Sequence, residues 1–465
     1  MSFRNAVKNT PVEARTENGM KAFKSSLSNT TDLFFKIGAS RGKNITLSFE
    51  TAYHEDRDLA LRIAQWARDV RGGAGERELY RQVLKFLEKN YKDELLSTRM
   101  LQNTAEIGRF DDLLIFEDAE IKKLAFGQIK QALDAGNGLA AKWMPRKGPL
   151  AAELRAFFGW SPKFYRKRLV ELTKVVETQM CAKEWDGINF SHVPSLAMSR
   201  YTKAFFKNTP EVFGAYMEAL KSGDPKVKVN AGAVYPYDIV KSMKMGNDTM
   251  ADEQWKALPN YMGSAKVMPM VDVSGSMECP VAGASVTCMD VAISLGLYCS
   301  DKNTGPFKDL FLTFSERPEF VTVTGTLSQK YRQMSHADWG MSTNLHAGFN
   351  EILRVALENK VSPEDMPEAL LILSDMQFNQ CAKHDDSAMQ MIQRKYEEAG
   401  YKVPAIVFWN LRDAGNTPVK FDKNGTALVS GFSPAIMKSV LAADFESMTP
   451  ESIMRSTVMV DRYAL

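Results

Sequence analysis

From residue 266 onward, short apolar runs alternate with segments of helical period, and this alternation constrains the fold more than any other feature. Lys266–Val273 (KVMPMVDV), Leu310–Phe314, Phe320–Val323, Ala369–Ser374 (ALLILS), Pro404–Trp409 (PAIVFW) and Thr426–Gly431 read as strands. Cys288–Ser300, Leu345–Leu357, Ser387–Ala399 and Pro434–Ala442 read as helices. Strands that are apolar throughout and separated by helices build a largely parallel sheet covered on both faces. In such sheets ligands bind beyond the carboxyl ends of the strands.

Two acids fall at those ends. Asp272 follows VMPMV and opens D-V-S-G-S, which brings Ser274 and Ser276 with it; Asp375 follows LLILS. A third element, Met341-Ser342-Thr343-Asn344, precedes a helix. Two carboxylates and three hydroxyls form a hard, oxygen-only set that suits Mg²⁺, an octahedral ion that keeps several waters. Gly275 is expected to let the backbone turn tightly between the serines. The competing reading is that these residues only tie loops together by hydrogen bonds.

The D-x-S-x-S loop after a strand, with Thr343 and then the strand-end Asp375 further on, resembles the metal-ion-dependent adhesion site (MIDAS) of a von Willebrand factor A domain. All five motif positions are present: Asp272, Ser274, Ser276, Thr343 and Asp375. The resemblance implies direct metal binding by the hydroxyls, contact through water by the acids, and a partner carboxylate completing the shell. No GxGxxG follows a strand and no GxSxG elbow occurs, so dinucleotide binding and serine hydrolysis lack support. His336 and His346 flank the Thr343 loop. A nuclease would need such a base, but lone histidines beside a loop are more often structural, and the expectation is a non-enzyme.

The first half has a different texture. Asp58–Arg71 places Leu59, Ile63, Trp66 and Val70 on one helical stripe, and Glu76–Asn90 does the same with Leu79, Val83 and Leu87. Further helices are predicted around 119–135, 166–181, 194–207 and 210–221, and strand-like runs are scarce. Arg71–Arg77 (RGGAGER) follows a helix and ends without Lys-Ser or Lys-Thr, so it reads as a turn rather than a phosphate loop. Helix pairs in a row suggest a HEAT-like solenoid or ring, although no fixed sequence period is present. A compact irregular helical domain is the alternative.

Charge divides the chain at the same place. Residues 1–250 carry 40 Lys and Arg against 30 Asp and Glu, whereas 251–465 carry 19 against 26. The first half is thus +10 and the second −7, beneath an overall +3. The densest basic stretch holds Lys142, Arg146, Lys147, Arg155, Lys163, Arg166, Lys167 and Arg168, interleaved with Trp143, Phe157, Phe158, Trp160, Phe164 and Tyr165. Arg200, Lys203 and Lys207 follow. Cations neutralise phosphates and aromatic faces stack on unpaired bases, so these eleven cations are the candidate nucleic-acid contacts. The competing reading packs the aromatics inside and leaves the cations as a solvated face.

No apolar run approaches the roughly 20 residues that span a bilayer, and the polar start lacks a signal-peptide pattern. Five scattered cysteines without a CxxC pair argue against a disulfide framework or zinc site and suit a reduced, cytoplasmic protein.

A helical module joined to a C-terminal von Willebrand A domain is similar to the TROVE proteins, the Ro autoantigen family, and more closely to relatives of it found in bacteria, phages and plants. Beyond the DVSGS loop, the segments that carry the likeness are Asp32–Ser40 (DLFFKIGAS), Trp66–Tyr80 (WARDVRGGAGERELY), Ile107–Leu114 (IGRFDDLL) and Leu371–Phe378 (LILSDMQF). The resemblance implies an all-α HEAT-like module over residues 1–258 and a Rossmann-like α/β von Willebrand A domain over 259–465. It further implies a ribonucleoprotein that holds small noncoding or misfolded RNA on its basic helices, with Mg²⁺ in the A domain. The competing class is a metal-dependent protein-interaction adaptor whose partner donates an Asp or Glu to the ion, in some cases beside a MoxR-type ATPase.

Overall fold

The computed structural model describes residues 10, 12–281, 286–315, 317–337, 344–378, 388–413 and 415–465. The helical region comprises α1 (Asn29–Ile37), α2 (Thr46–Glu55), α3 (Arg57–Arg68), α4 (Arg77–Asn90), α5 (Lys92–Ser97), α6 (Met100–Ile107), α7 (Ala119–Asp134) and α8 (Gly138–Trp143). It continues with α9 (Pro149–Phe158), α10 (Pro162–Leu172), α11 (Val176–Ala182), α12 (Ser195–Asn208), α13 (Pro210–Lys221), α14 (Pro236–Lys244) and α15 (Asp248–Lys256).

Local chemistry sets these boundaries. Asp56 caps α3 by accepting the Leu59 amide, and Ser161 caps α10 by accepting that of Phe164, with Pro162 pre-set for the first turn. The helix predicted to run to Arg71 stops at Arg68, because Trp66 O and Ala67 O accept from the turn amides of Ala74 and Glu76. A Cβ at Gly73 would stand 1.8 Å from Trp66 O, so only glycine fits there. The single helix predicted at 166–181 is two, α10 and α11, separated at Thr173–Val175. Thr173, Val175 and Val176 are β-branched and favour a break, and the Thr173 hydroxyl donates back to Leu169 O at 2.6 Å.

A short hairpin was missed from the sequence: β1 (Glu13–Arg15) pairs antiparallel with β2 (Lys21–Phe23). Three-residue strands offer no alternation to read. The hairpin is pinned by a bridge between Phe23 and Thr417.

The main sheet holds β3 (Val267–Val271), β4 (Leu310–Thr313), β5 (Phe320–Thr322), β6 (Ala369–Ser374), β7 (Ala405–Asn410) and β8 (Thr426–Ser430). Their order is β5-β4-β3-β6-β7-β8; β5 runs antiparallel at one edge and the other pairings are parallel. Pro269 occupies a central strand without harm, since the β3–β4 register begins only at Met270 and its missing N–H is not needed there. The helices of this half are α16 (Cys288–Lys302), α17 (Leu327–Ser335), α18 (Leu345–Asn359), α19 (Ala388–Glu398), α20 (Met437–Leu441) and α21 (Pro450–Val458).

Alternate strand residues separate two cores. Val267, Val271, Leu371, Leu373, Val407, Trp409 and Val429 join one cluster with α16 and α21, while Met268, Met270, Leu370, Ile372, Ile406, Phe408 and Leu428 face α18 and α19. The first cluster runs without interruption into the helical region through Phe34, Trp66 and Tyr80.

The helical run begins and ends on the α/β domain. At its start α1 packs on β8, and at its end α14 packs on α16 and α15 on α17. Polar ties fix the first joint: the Ser430 hydroxyl donates to Phe34 O at 2.9 Å and accepts from the Gly38 amide at 3.0 Å. Arg462 and Tyr463 both donate to the buried carboxylate of Asp69, Tyr463 Oη at 2.9 Å from Oδ2. A helical N-terminal region followed by a mainly parallel α/β sheet is the predicted fold class.

Candidate functional site

The centre of the sheet ends in two adjacent loops. β3 delivers Asp272 and β6 delivers Asp375, and β3 and β6 are neighbours paired from Val267↔Ala369 to Val271↔Leu373. Both carboxylates are fully buried. Asp272 is locked at both oxygens: the Ser274 amide donates to Oδ1 at 2.9 Å and the Ser374 hydroxyl to Oδ2 at 2.6 Å. The Ser274 and Ser276 hydroxyls lie 3.1 Å apart. The loop carrying them turns as a 3-10 helix, Gly275–Glu278, and a Cβ on Gly275 would meet open space. The expected tight glycine turn is therefore not what shapes this loop.

Asp375 is less completely satisfied. The Gln377 amide donates to Oδ1 at 3.2 Å, but Oδ2 is buried without a hydrogen-bond partner. The Arg412 guanidinium stands 3.7 Å from that oxygen, too far for a hydrogen bond. Between Asp375 and Gln377, Met376 sits at φ 65, a left-handed conformation that costs a non-glycine residue about 1 kcal/mol. Its buried side chain in the core under α18 and α19 holds it there.

Burial dominates the electrostatics. It pushes the Asp272 carboxyl up to about 6, helped by the like charge of Asp375 and opposed by the Ser374 and Ser274 bonds. Asp375 is raised as well, first by burial, against the Ser276 hydroxyl, the Gln377 amide and Arg412. Two buried carboxylates that repel each other, one with an orphaned oxygen, and two hydroxyls beside them fit a hard divalent cation. Asp272, Ser274, Ser276 and Asp375 would hold it; Thr343, the fifth expected ligand, lies outside the described residues. Among the described residues no group of three His, Cys, Asp or Glu could hold a metal, so a soft-metal centre has no support there.

Sequence reasoning missed Ser374 and Arg412. Ser374 directly precedes Asp375 and was legible as its neighbour; Arg412 comes from the loop after β7, and no spacing rule marks it. The two histidines are held by local partners: His336 Nδ1 by Arg332 O at 2.7 Å and His346 Nδ1 by the Asn350 amide at 3.0 Å.

The eleven cations divide into two kinds. Four are engaged by the fold. Lys142 lies over the Trp143 ring, whose face also carries Arg109 at 3.6 Å. Arg146 donates to Thr173 Oγ1, Arg168 to the terminal carbonyl oxygens of α7 at Leu133 and Asp134, and Lys203 to Met245 O. The other seven, Lys147, Arg155, Lys163, Arg166, Lys167, Arg200 and Lys207, make no hydrogen bond or ion pair among the described residues. Lys163, Arg166 and Lys167 stand on α10 beside Phe164, which is 51% exposed, and Phe157 on α9 is 40% exposed. Phe158 and Tyr165 turn inward to the core, so the aromatic series is split between packing and surface. Arg200 and Lys207 lie on α12, which belongs to a separate small core with α13.

The family described as Domain of unknown function (DUF2828) matches residues 16–102 and 161–266, and Domain of unknown function (DUF7788) matches residues 266–461. The structure is similar to the crystal structure of the Ro (RSR) protein of Deinococcus radiodurans, with a TM-score of 0.52 at 14% identity, covering 94% of this chain and 100% of that one. The fold is thus Ro-like. In sequence the chain is 30% identical over 502 aligned residues to uncharacterized protein L728 of Acanthamoeba polyphaga mimivirus, covering 94% of this chain and 86% of L728. The chain belongs to the family of L728.

Proposed function

We propose that the protein binds RNA on its helical region and Mg²⁺ in its α/β domain, without catalysing a reaction. The observation that carries the RNA reading is the exposed strip on α9 and α10, where cations with no protein partner flank exposed phenylalanine rings. Cations left unpaired beside aromatic faces offer an unpaired strand both of its handles, phosphate and base. The Ro-like fold supports the same reading, because Ro proteins hold small RNAs on the basic side of their helices.

The Mg²⁺ reading rests on the orphaned Asp375 Oδ2 and on the hydroxyl pair in the neighbouring β3 loop. The ion would neutralise the two carboxylates and tie the β3 and β6 loops together.

Binding of a small structured RNA with a single-stranded end, measured at several salt concentrations, tests the main claim. Affinity should fall steeply with salt, with a slope set by the number of phosphates neutralised. A flat or absent response would sink it. Stoichiometric capture of an acidic protein partner only when Mg²⁺ is present would instead favour an adaptor.

A further inference from the structure

The β1–β2 hairpin belongs to neither candidate site, yet its turn sits on the loop that carries Asp375. Thr16 Oγ1 donates to Phe378 O at 2.5 Å, the Glu17 amide to Gln377 Oε1 at 2.6 Å, and Asn18 Nδ2 to Gln377 O at 2.7 Å. The Gln377 amide in turn donates to Asp375 Oδ1. Two hydrogen bonds therefore link the Glu17 backbone to the metal-site carboxylate. Thr16 and Met20 on either side are buried, which anchors the turn, while the Glu17 side chain stays exposed. The turn thus sets Glu17 beside the loop that carries Asp375.

That placement suits a site that holds a cation. Asp272, Asp375 and Glu17 bring three carboxylates to adjoining loops, and Arg412, 3.7 Å from Asp375, brings one guanidinium. With all four ionised, the two negative charges left over are what a divalent ion cancels. A hairpin strapped over the β6 loop could have carried any polar residue at its turn, because the anchoring bonds use the Glu17 backbone and its neighbours. A carboxylate there adds only repulsion unless it faces an ion.

We propose that Glu17 is a self-supplied ligand: the hairpin brings its carboxylate to the cation held by Asp272, Ser274, Ser276 and Asp375, directly or through water, and competes there with the acidic group of any partner. This inference rests on the Mg²⁺ reading of the site. It turns the hairpin into a built-in plug, so that a partner carboxylate must displace Glu17 to reach the ion.

The test uses the full chain and MgCl₂, with titration calorimetry and thermal unfolding for wild type and Glu17→Gln. Glutamine keeps the backbone bonds and the size of the side chain. Ligand charge count tunes divalent-cation affinity over decades, so Glu17→Gln should bind Mg²⁺ about tenfold more weakly. Without Mg²⁺ it should unfold no lower than wild type, because a repulsion has gone; with Mg²⁺ its gain in unfolding temperature should be smaller. Added acetate should strengthen Mg²⁺ binding in the variant but not in wild type. Wild-type Mg²⁺ affinity in the variant, or an equal loss of stability with and without the ion, would overturn the role and leave a strap. If wild type itself takes up no Mg²⁺, the metal reading falls first and this inference falls with it.

Discussion

Asp272 and Asp375 are fully buried among hydrogen-bond donors, whereas Lys163, Arg166 and Lys167 stand in solvent with no protein partner. The first arrangement concentrates charge in a low dielectric, where each group strongly perturbs its neighbours. The second spreads charge over a helix face, where each cation acts nearly alone and salt screens it. A buried site is therefore specified by a few residues at fixed spacing, and an exposed one by density. The two should also fail differently when changed.

The buried extreme fails hardest, and it lies outside both sites. Arg68 is 1% exposed and its Nη2 is 2.7 Å from Asp112 Oδ2, while Arg81 holds the other oxygen at 2.8 Å. Removing one partner of such a set strands a buried charge. Arg68→Ala should cost about 3 kcal/mol, the low end for such pairs because Arg81 remains. Urea unfolding checks it, and a loss under 1 kcal/mol would show that water reaches Asp112.

At the exposed extreme, replacing Lys163, Arg166 and Lys167 together by Glu should weaken RNA binding by about a hundredfold at low salt and flatten the salt slope by about three phosphates' worth. Stability should barely move, since the three side chains make no hydrogen bond or ion pair among the described residues. Arg168 serves as the internal contrast: it ties the end of α7, so Arg168→Ala should lower the unfolding temperature and leave RNA affinity nearly intact. Binding assays and melting curves on both variants separate the two roles. Equal RNA loss from Arg168→Ala would break the division.

This contrast also explains what the sequence disclosed. The strands of the α/β domain were legible, because strands buried on both faces must be apolar throughout, and Val267–Val271 and Ala369–Ser374 announce themselves, whereas the helices α17 and α21 were not foreseen. The acids at their ends follow from strand register alone. The helical half was legible in type but not in boundary: the breaks at Asp69 and Thr173 come from turn hydrogen bonds that periodicity does not register. Glu17 and Arg412 could not be found, since only tertiary packing brings a hairpin of three-residue strands and the loop after β7 to the Asp375 loop. Nor does the list of basic residues distinguish Arg168, which caps a helix, from Arg166 and Lys167, which do not. The segments Asp32–Ser40 and Trp66–Tyr80 stand out in the sequence for a structural reason: they form the joint between the halves, through Phe34, Gly38 and Asp69.

The buried site should respond to pH as the exposed one does not. A carboxyl raised to about 6 is favoured when protonated, so its contribution to stability is full below the ordinary carboxyl range and is lost as pH rises through 6. The metal-free protein should thus lose stability between pH 4 and 7 from this group, while Mg²⁺, which needs the ionised form, should bind more tightly over the same window. Asp272→Asn removes the charge but keeps a side chain that Ser274 and Ser374 can bond. It should abolish measurable Mg²⁺ binding, stabilise the metal-free chain by roughly 1–3 kcal/mol at pH 7, and erase most of the pH dependence. Calorimetry and melting at two pH values decide it. A destabilised variant would mean that the carboxylate serves the loop rather than an ion.

The smallest effect is the sharpest test of the exposed surface. Phe164 is half exposed on α10, its ring centroid 5.0 Å from that of Trp160 in an edge-on contact, and its amide rather than its ring closes the helix cap. Its removal should cost little stability, because an edge contact at the surface loses little packing. If the ring stacks on a base, Phe164→Ala should weaken RNA binding by about 1–3 kcal/mol without changing the salt slope, since no phosphate contact is lost. Phe164→Tyr, which keeps the π-face, should restore the affinity. A variant that changes the salt slope but not the low-salt affinity would place RNA on the cations alone. Affinity unchanged at every salt concentration, with Lys163, Arg166 and Lys167 still required, would make the exposed ring a surface for something other than a base.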